Sequence, residues 1–113
     1  MSITAFSPQA KTYAFSVTSS AGTGVQLQPA TSYGAMQYRV INSGANLAFL
    51  GVGTTSDVAV TNTTIPTPGA PTLAIPLLPG TDEVFTFPQG AYFAAVTIGA
   101  ATTTLYITSG DGM

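Results

Sequence analysis

Two acidic residues, Asp82 and Glu83, stand side by side in the segment LLPGTDEVFTFPQGA at residues 77–91. Acidic side chains are scarce here, because the chain has only four Asp and Glu residues among 113. Such a pair could hydrolyse glycosidic bonds if the two carboxyl groups lay about 5–9.5 Å apart across a substrate. Adjacent residues of a strand point to opposite faces, however, so we expect the carboxylates to diverge. The pattern favours a turn over residues 79–82, with Glu83 opening a strand on its solvent face.

Other catalytic and metal-binding groups are equally sparse. The chain has no His and no Cys, which excludes Ser-His-Asp and Cys-His catalysis as well as thiolate or imidazole metal sites. Ser-Lys catalysis would have to use Lys11, the only lysine. Calcium could be held by Asp57, Asp82 and Asp111 only if separate loops brought them together, and nothing resembles a calcium-binding loop. The sequence therefore predicts no catalytic, cofactor-binding or metal residues.

The low charge of the chain narrows the choice of partners. Charged residues make up 5% of the sequence, against about 25% in an average globular protein. Two cations cannot neutralise a run of phosphates or a layer of anionic lipid, so neither nucleic acid nor a membrane is an expected partner. A polar but nearly neutral surface has little colloidal repulsion, which suits a protein that ends in an assembly.

Targeting signals are not visible in the sequence. The N-terminal stretch MSITAFSPQAKTYAF has no basic segment followed by an apolar one, as a secretory signal would. Pro and Gly interrupt every apolar run well before the roughly 18 residues of a membrane helix. We therefore expect a soluble protein made in the cytoplasm of the cell that expresses it.

Alternation of apolar and polar residues predicts strands along most of the chain. The predicted strands lie at residues 13–17, 25–28, 36–41, 47–52, 73–77, 84–87, 92–98 and 104–108, with a weaker candidate at 57–60. The turn residues Asn42, Ser43 and Gly44 lead directly from one strand to the next, so residues 36–52 are predicted to form a hairpin. Three prolines, Pro66, Pro68 and Pro71, make residues 62–72 a surface loop.

These elements predict an all-β, single-domain antiparallel β-sandwich that is jelly-roll-like, with about eight or nine short strands. Residues 1–12 form a candidate N-terminal arm, and residues 13–113 form the sandwich domain. Most aromatic residues fall on alternating apolar faces, where core packing explains them. Tyr92 and Phe93 must point in opposite directions, so one of them lies at an outer surface. An outward aromatic ring on a charge-poor sheet favours a protein contact.

Residues 36–113 also resemble a group of small virion proteins of tailed bacteriophages. The resemblance lies in the turn around Val40, Asn42 and Gly44, in Leu78–Ala91, which reads LPGTDEVFTFPQGA, and in the closing segment Leu105–Met113. It covers about two thirds of the chain and implies a non-enzymatic head decoration, or cement, protein. Such a protein sits on the capsid exterior, binds the major capsid protein and stabilises the lattice through symmetric contacts.

The expected partners are therefore the major capsid protein and further copies of the chain, as a dimer or trimer. Loops and ends project from a sandwich, so the predicted contact regions are the proline-rich loop, the turn at 79–83 and the terminal segments. The candidate contact residues are Pro66, Pro68, Pro71, Asp82, Glu83 and Tyr92. The alternative function is a receptor- or glycan-binding module of a tail fibre or spike, with Tyr33 or Tyr92 as exposed aromatics. The enzymatic alternative is a carbohydrate-active hydrolase using Asp82 and Glu83.

Overall fold

The computed structural model of the chain describes residues 7–27, 37–88 and 90–111. Eight strands and one short helix make up these residues, which confirms the predicted all-β class. The elements are β1 (Ser7–Val17), β2 (Val25–Gln26), β3 (Gln37–Asn42), β4 (Ala48–Gly53), α1 (Ser56–Thr61), β5 (Ile75–Leu77), β6 (Asp82–Thr86), β7 (Tyr92–Thr97) and β8 (Thr103–Asp111).

The strands form two antiparallel sheets with a nested pairing order. The first sheet, sheet A, has the order β1-β8-β3-β6, and the second, sheet B, has the order β2-β7-β4-β5. The first strand pairs with the last, the second with the seventh, the third with the sixth and the fourth with the fifth. A ribbon of strands paired in this way and wrapped into two sheets is an eight-stranded jelly roll, as predicted.

The core lies between the two sheets, and buried residues alternate with less buried ones most clearly in sheet A. In β3 the buried residues Tyr38, Val40 and Asn42 alternate with half-buried or exposed ones. Sheet A also contributes Leu105 and Ile107, and sheet B contributes Leu50, Leu77 and Phe93, all fully buried. Because the two strand faces differ in this way, a shift of register by one residue would expose this whole set, which fixes the pairing.

Four aromatic rings fill one part of the core. The rings of Tyr38 and Phe93 meet edge to face with centroids 4.8 Å apart, and Phe87 packs against both. Phe85 stacks on Phe87 with centroids 5.7 Å apart, and both rings pack against the core. This confirms that these two alternating aromatic residues face the core. Aromatic pairs in these geometries stabilise a core by about 0.5–1.5 kcal/mol beyond their buried area.

The predicted hairpin over residues 36–52 is wrong. β3 belongs to sheet A and β4 to sheet B, so the turn after Asn42 carries the chain from one sheet to the other. The backbone N–H and C=O of Asn42 bond to Thr81 and Gly80 of the β5–β6 turn, and Ser43 N–H bonds to Thr104. The turn residues were identified correctly, but turn chemistry does not say which sheet the following strand joins.

The weak strand candidate at residues 57–60 is also wrong, because Ser56–Thr61 is a helix. Thr55 caps it, since its hydroxyl accepts a hydrogen bond from the backbone N–H of Val58 at 3.2 Å. The helix packs against the outside of β4 where that strand has Gly51 and Gly53. A Cβ on Gly51 would lie 2.3 Å from the carbonyl oxygen of Ala59, so the close approach requires glycine.

The connection between α1 and β5 and the start of β1 complete the description. Residues 66–71 are exposed, as predicted for a proline-rich surface loop, and a bridge between Thr67 and Ala70 closes a tight turn at Gly69. β1 begins at Ser7 and pairs with β8, so part of the segment predicted as an arm contributes strand; residues 1–6 lie outside the described residues. Within the described part of the chain, no helix is long and apolar enough to cross a membrane.

Candidate functional site

The acidic pair is split between two faces of sheet A. Asp82 is held by Arg39, whose Nε and Nη2 donate to the two carboxylate oxygens at 2.8 and 2.6 Å. Both side chains are about half exposed, with relative accessibilities of 46% each. The hydrogen bonds from Arg39 and its positive charge hold the pKa of the Asp82 carboxyl below its ordinary value. A carboxylate held in this way is a structural anion and not a proton donor.

Glu83 lies on the opposite face of β6 from Asp82. Its cross-strand neighbour is Val40, which is fully buried, so the Glu83 side chain leaves β6 on the core side of sheet A. The predicted position on the solvent face is therefore wrong. Glu83 is nevertheless exposed, because β6 is an edge strand of sheet A. An inward-pointing charge on an edge strand opposes pairing with another strand. The two carboxylates share no cleft and cannot act together on one substrate.

The predicted contact prolines lie away from the acidic turn. Pro66, Pro68 and Pro71 are exposed in the connection that precedes β5, whereas Asp82 and Glu83 follow the turn after β5. A short strand thus separates the two predicted contact regions and places them at opposite ends of the sandwich. Tyr33, named with Tyr92 as a candidate ligand-binding aromatic, lies outside the described residues.

The acidic residues considered for calcium lie on different elements. Asp57 is in the first turn of α1, Asp82 opens β6 and Asp111 ends β8. Among the described residues, no three His, Cys, Asp or Glu side chains come close enough to hold a metal ion.

A concave cleft lies on the outside of sheet B. Its floor is a row across three neighbouring strands, in which Gln26 of β2, Tyr92 of β7 and Gly53 of β4 lie directly opposite one another. Phe93 is fully buried and Tyr92 is half exposed, so the expectation that one of this pair faces outward is confirmed. Because Gly53 has no side chain, α1 can lie directly over β4 beside Tyr92.

Two walls rise from this floor. One is α1, where Val58 is 42% exposed and lies so near Gly53 that a Cβ there would be 2.6 Å from its Cγ1. The other consists of Pro88, Gly90 and Ala91, where the N–H of Ala91 donates to the carbonyl oxygen of Pro88 at 3.3 Å. The cleft has a volume of about 480 Å³, within the roughly 300–1,000 Å³ of small-molecule sites. Among the described residues that line it, none carries a charge at neutral pH.

Two side-chain amides at the cleft are fixed by the backbone. Gln26 Nε2 donates to the carbonyl oxygen of Gly90 at 3.0 Å, and Asn62 Nδ2 donates to that of Val52 at 2.7 Å. Each bond occupies one N–H of its amide and sets the orientation of the group. The oxygen and the second N–H of each amide form no further hydrogen bond within the described residues, and neither does the Tyr92 hydroxyl. The cleft therefore combines an apolar wall, one aromatic ring and two oriented amides.

A second surface lies at one end of the sandwich, where four connections meet. We call it the uncharged loop end; it consists of residues 18–20, 43–47, 78–81 and 98–102, and its sequence contains no Asp, Glu, Lys or Arg. Leu78 is 65% exposed there and Ile98 54%.

Hydrogen bonds tie these connections to one another and to the strands beside them. Asn46 Nδ2 donates to the carbonyl oxygen of Thr102 at 2.7 Å, and the N–H of Thr97 donates to that of Thr18 at 2.8 Å. The surface is therefore apolar at its tips and already held in shape.

Sequence reasoning identified Tyr92 but missed the rest of the cleft. Asn62 begins the predicted loop at residues 62–72, and Val58 belongs to a segment predicted as a strand. Neither residue was therefore connected with Tyr92. Thr55 followed by Asp57 was the available signal, because a capping hydroxyl and an acidic residue in the first turn are typical of a helix start. The placement of that helix over two strand glycines is a tertiary fact that no local pattern carries.

No protein family, curated protein or solved structure matches this chain.

Proposed function

We propose that this chain is a non-enzymatic structural virion protein of a tailed bacteriophage, a decoration protein on the capsid exterior. Its partners are the major capsid protein and further copies of itself, as a dimer or trimer. The observation that carries the proposal is the uncharged loop end, with its exposed Leu78 and Ile98. The sequence resemblance of residues 36–113 to small phage virion proteins supports it, and jelly rolls are a recurrent architecture of viral capsid domains.

The mechanism follows from mass action. A protein that binds the assembled lattice better than free capsid subunits stabilises the lattice, and the effect grows with the free concentration of the protein. The uncharged loop end suits this task, because its loops are ordered before contact and lose little freedom on binding. Since it carries no ionisable side chain, the contact depends on buried apolar surface and hydrogen bonds, and salt screens it little.

The test uses capsids that lack the protein and purified wild-type chain. We expect saturable binding that changes little between low and high salt. Replacing both exposed aliphatic residues, Leu78→Ser with Ile98→Ser, should weaken binding at least tenfold. The matched control is Leu73→Ser, because Leu73 is 75% exposed but precedes β5 at the other end of the sandwich. Thermal unfolding of each variant establishes that the fold is intact.

Two outcomes would contradict the proposal in different ways. If the wild-type chain fails to bind such capsids at any salt concentration, the decoration function is wrong. If the chain binds but the double variant binds as tightly as Leu73→Ser, the contact lies elsewhere and the uncharged loop end is not the docking surface.

The second candidate function is a receptor- or glycan-binding module of a tail fibre or spike. The cleft beside Tyr92 favours it, since a lattice staple needs no small-molecule site. Counting copies in purified virions distinguishes the two: a number comparable with that of the major capsid subunits supports decoration, and a number matching the tail fibres supports the alternative.

A further inference from the structure

We infer that the cleft between α1 and β7 is a binding site for a neutral, hydroxyl-rich ligand, that is, a sugar residue without charged substituents. This inference is independent of the capsid proposal, because it rests on the row Gln26, Tyr92 and Gly53 and on the helix beside it.

The lining of the cleft excludes charged ligands. A phosphate, carboxylate or metal ion requires opposite charges or ionised ligands, and the described lining residues supply none. Arg39 lies in sheet A and is already paired with Asp82, so it cannot serve a ligand on the outside of sheet B. The cleft therefore fits an uncharged molecule.

The two amides then disfavour a purely apolar ligand. An aliphatic chain lying in the cleft would remove water from the free oxygen and N–H groups of Gln26 and Asn62 without replacing their hydrogen bonds. Leaving such a group unpaired costs about 1–3 kcal/mol. A ligand that fills this cleft must therefore carry its own donors and acceptors.

Sugar hydroxyls match what the amides leave free. Each amide keeps its oxygen and one N–H free, because its other N–H is bonded to the carbonyl of Gly90 or Val52. Sugar hydroxyls can pair with both groups, since a hydroxyl donates to the oxygen and accepts from the N–H. Tyr92 adds an aromatic ring to the lining, on which the apolar C–H face of a pyranose can rest.

The two fixed hydrogen bonds also prepare the site before the ligand arrives. The orientation of each amide is set by a backbone carbonyl, and the helix wall is held by its close contact with Gly51 and Gly53. A site that is already ordered loses less conformational entropy on binding. Weak ligands such as single sugars depend on this advantage.

The direct test is titration of the full chain with neutral monosaccharides and disaccharides, followed by amide chemical shifts and saturation-transfer NMR. We expect shifts confined to the cleft, at Val58, Tyr92 and Asn62, with millimolar or tighter affinity for at least one neutral sugar. The corresponding uronic acid should bind more weakly than its neutral parent, because the cleft has no cation to receive the carboxylate.

Variants locate the site. Tyr92→Ala should weaken the affinity about tenfold, which corresponds to about 1.4 kcal/mol. Val58→Trp should fill the cleft from the helix side and weaken binding, and thermal unfolding of this variant establishes that its fold is intact. Tyr106→Ala is the matched control, because Tyr106 is 40% exposed on the outer face of sheet A. It should bind like wild type.

Three outcomes would overturn the inference. In the first, no neutral sugar shifts the cleft resonances. In the second, Tyr92→Ala and Tyr106→Ala change affinity equally. In the third, a neutral peptide binds the cleft and sugars do not, which would make it a protein-docking site.

Discussion

The hydroxyl of Thr103 donates a 2.7 Å hydrogen bond to Oδ1 of Asn42, and both side chains are buried. The same oxygen accepts from the N–H of Gly44, while Nδ2 donates to the carbonyl oxygens of Asn46 and Leu77, each at 2.9 Å. The Asn42 side chain thus forms hydrogen bonds with groups in a turn, at the end of β5 and at the start of β8. It joins the two sheets where the chain crosses between them.

Replacing Asn42 by Ala should cost about 2–4 kcal/mol of unfolding free energy, because several buried groups lose their partners together. Urea denaturation measures this cost. Asn46→Ala is the control, since Asn46 makes a single side-chain bond, to Thr102, at the exposed surface, and its loss should cost about 0.5–1.5 kcal/mol. Equal losses in the two variants would show that burial of the Asn42 network contributes nothing extra.

Gly51→Ala should move α1 away from sheet B. The new methyl group would meet the carbonyl oxygen of Ala59 at 2.3 Å and the backbone nitrogen of Thr63 at 2.7 Å, so the helix must shift. We expect a loss of about 1–3 kcal/mol. Amide resonances of residues 56–61 should also move.

The control for this change is Gly69→Ala, where nothing lies within 4 Å of an added Cβ but φ is positive. That variant should lose about 1–2 kcal/mol through backbone strain alone. It should leave the α1 resonances unchanged. Unmoved α1 resonances in Gly51→Ala would contradict the packing explanation.

Tyr38→Phe should be neutral or stabilising at neutral pH. The Tyr38 ring is fully buried, and its hydroxyl has no hydrogen-bond partner within the described part of the chain. A buried, unpaired hydroxyl destabilises the fold by about 1–3 kcal/mol, because it has lost its hydrogen bonds to water. Removing the hydroxyl regains this free energy, less any packing lost with the oxygen atom. Thermal unfolding of the two proteins at neutral pH measures the difference. A large loss of stability would mean that the hydroxyl has a partner in the native protein.

The same variant carries a prediction for alkaline pH. Burial raises the pKa of Tyr38 above its ordinary value of 10.0. A raised folded-state pKa favours folding below the unfolded pKa of about 10, and this contribution is lost as pH rises through the folded value. Wild type should therefore lose more stability than Tyr38→Phe above about pH 10. Equal alkaline slopes in wild type and Tyr38→Phe would contradict this prediction.

Strand alternation carried most of the fold prediction, because burial on one face leaves a period of two in the sequence. It placed Tyr38 and Val40 in the core, and it separated Asp82 from Glu83. The pattern failed at Val58 and Val60, where a helix of six residues is too short to show its own period and V-A-V imitates a strand. It failed again after Asn42, because the same turn residues serve a hairpin and a crossing between sheets. The cleft depends on α1 folding back onto Gly51 and Gly53, and the alternation of apolar and polar residues does not encode that chain reversal.

Asp82→Asn should lower stability slightly at neutral pH and have no effect in strong acid. The hydrogen bonds and charge of Arg39 lower the folded-state pKa of Asp82. The stabilisation that the Asp82 carboxylate provides is therefore present above its unfolded pKa of about 3.9. It disappears as pH falls through the folded-state pKa. The effect is small, because both side chains are exposed and salt screens the pair.

The measurement for Asp82 is urea denaturation across an acid pH series. Glu83→Gln is the matched control, since it removes the neighbouring carboxylate, which forms no ion pair within the described residues. A difference between wild type and Asp82→Asn that persists unchanged below the folded pKa would contradict the assignment of the ion pair.

The nested order of the strand pairs has a consequence for how the chain is made. The hydroxyls of Thr12 and Thr108 meet at 2.6 Å across β1 and β8, although 96 positions separate them in the sequence. A ribosome releases β1 first, and its partner strand emerges last. Folds dominated by such distant pairs form in milliseconds to seconds and not in microseconds. During synthesis β1 therefore remains without its partner strand until β8 is released.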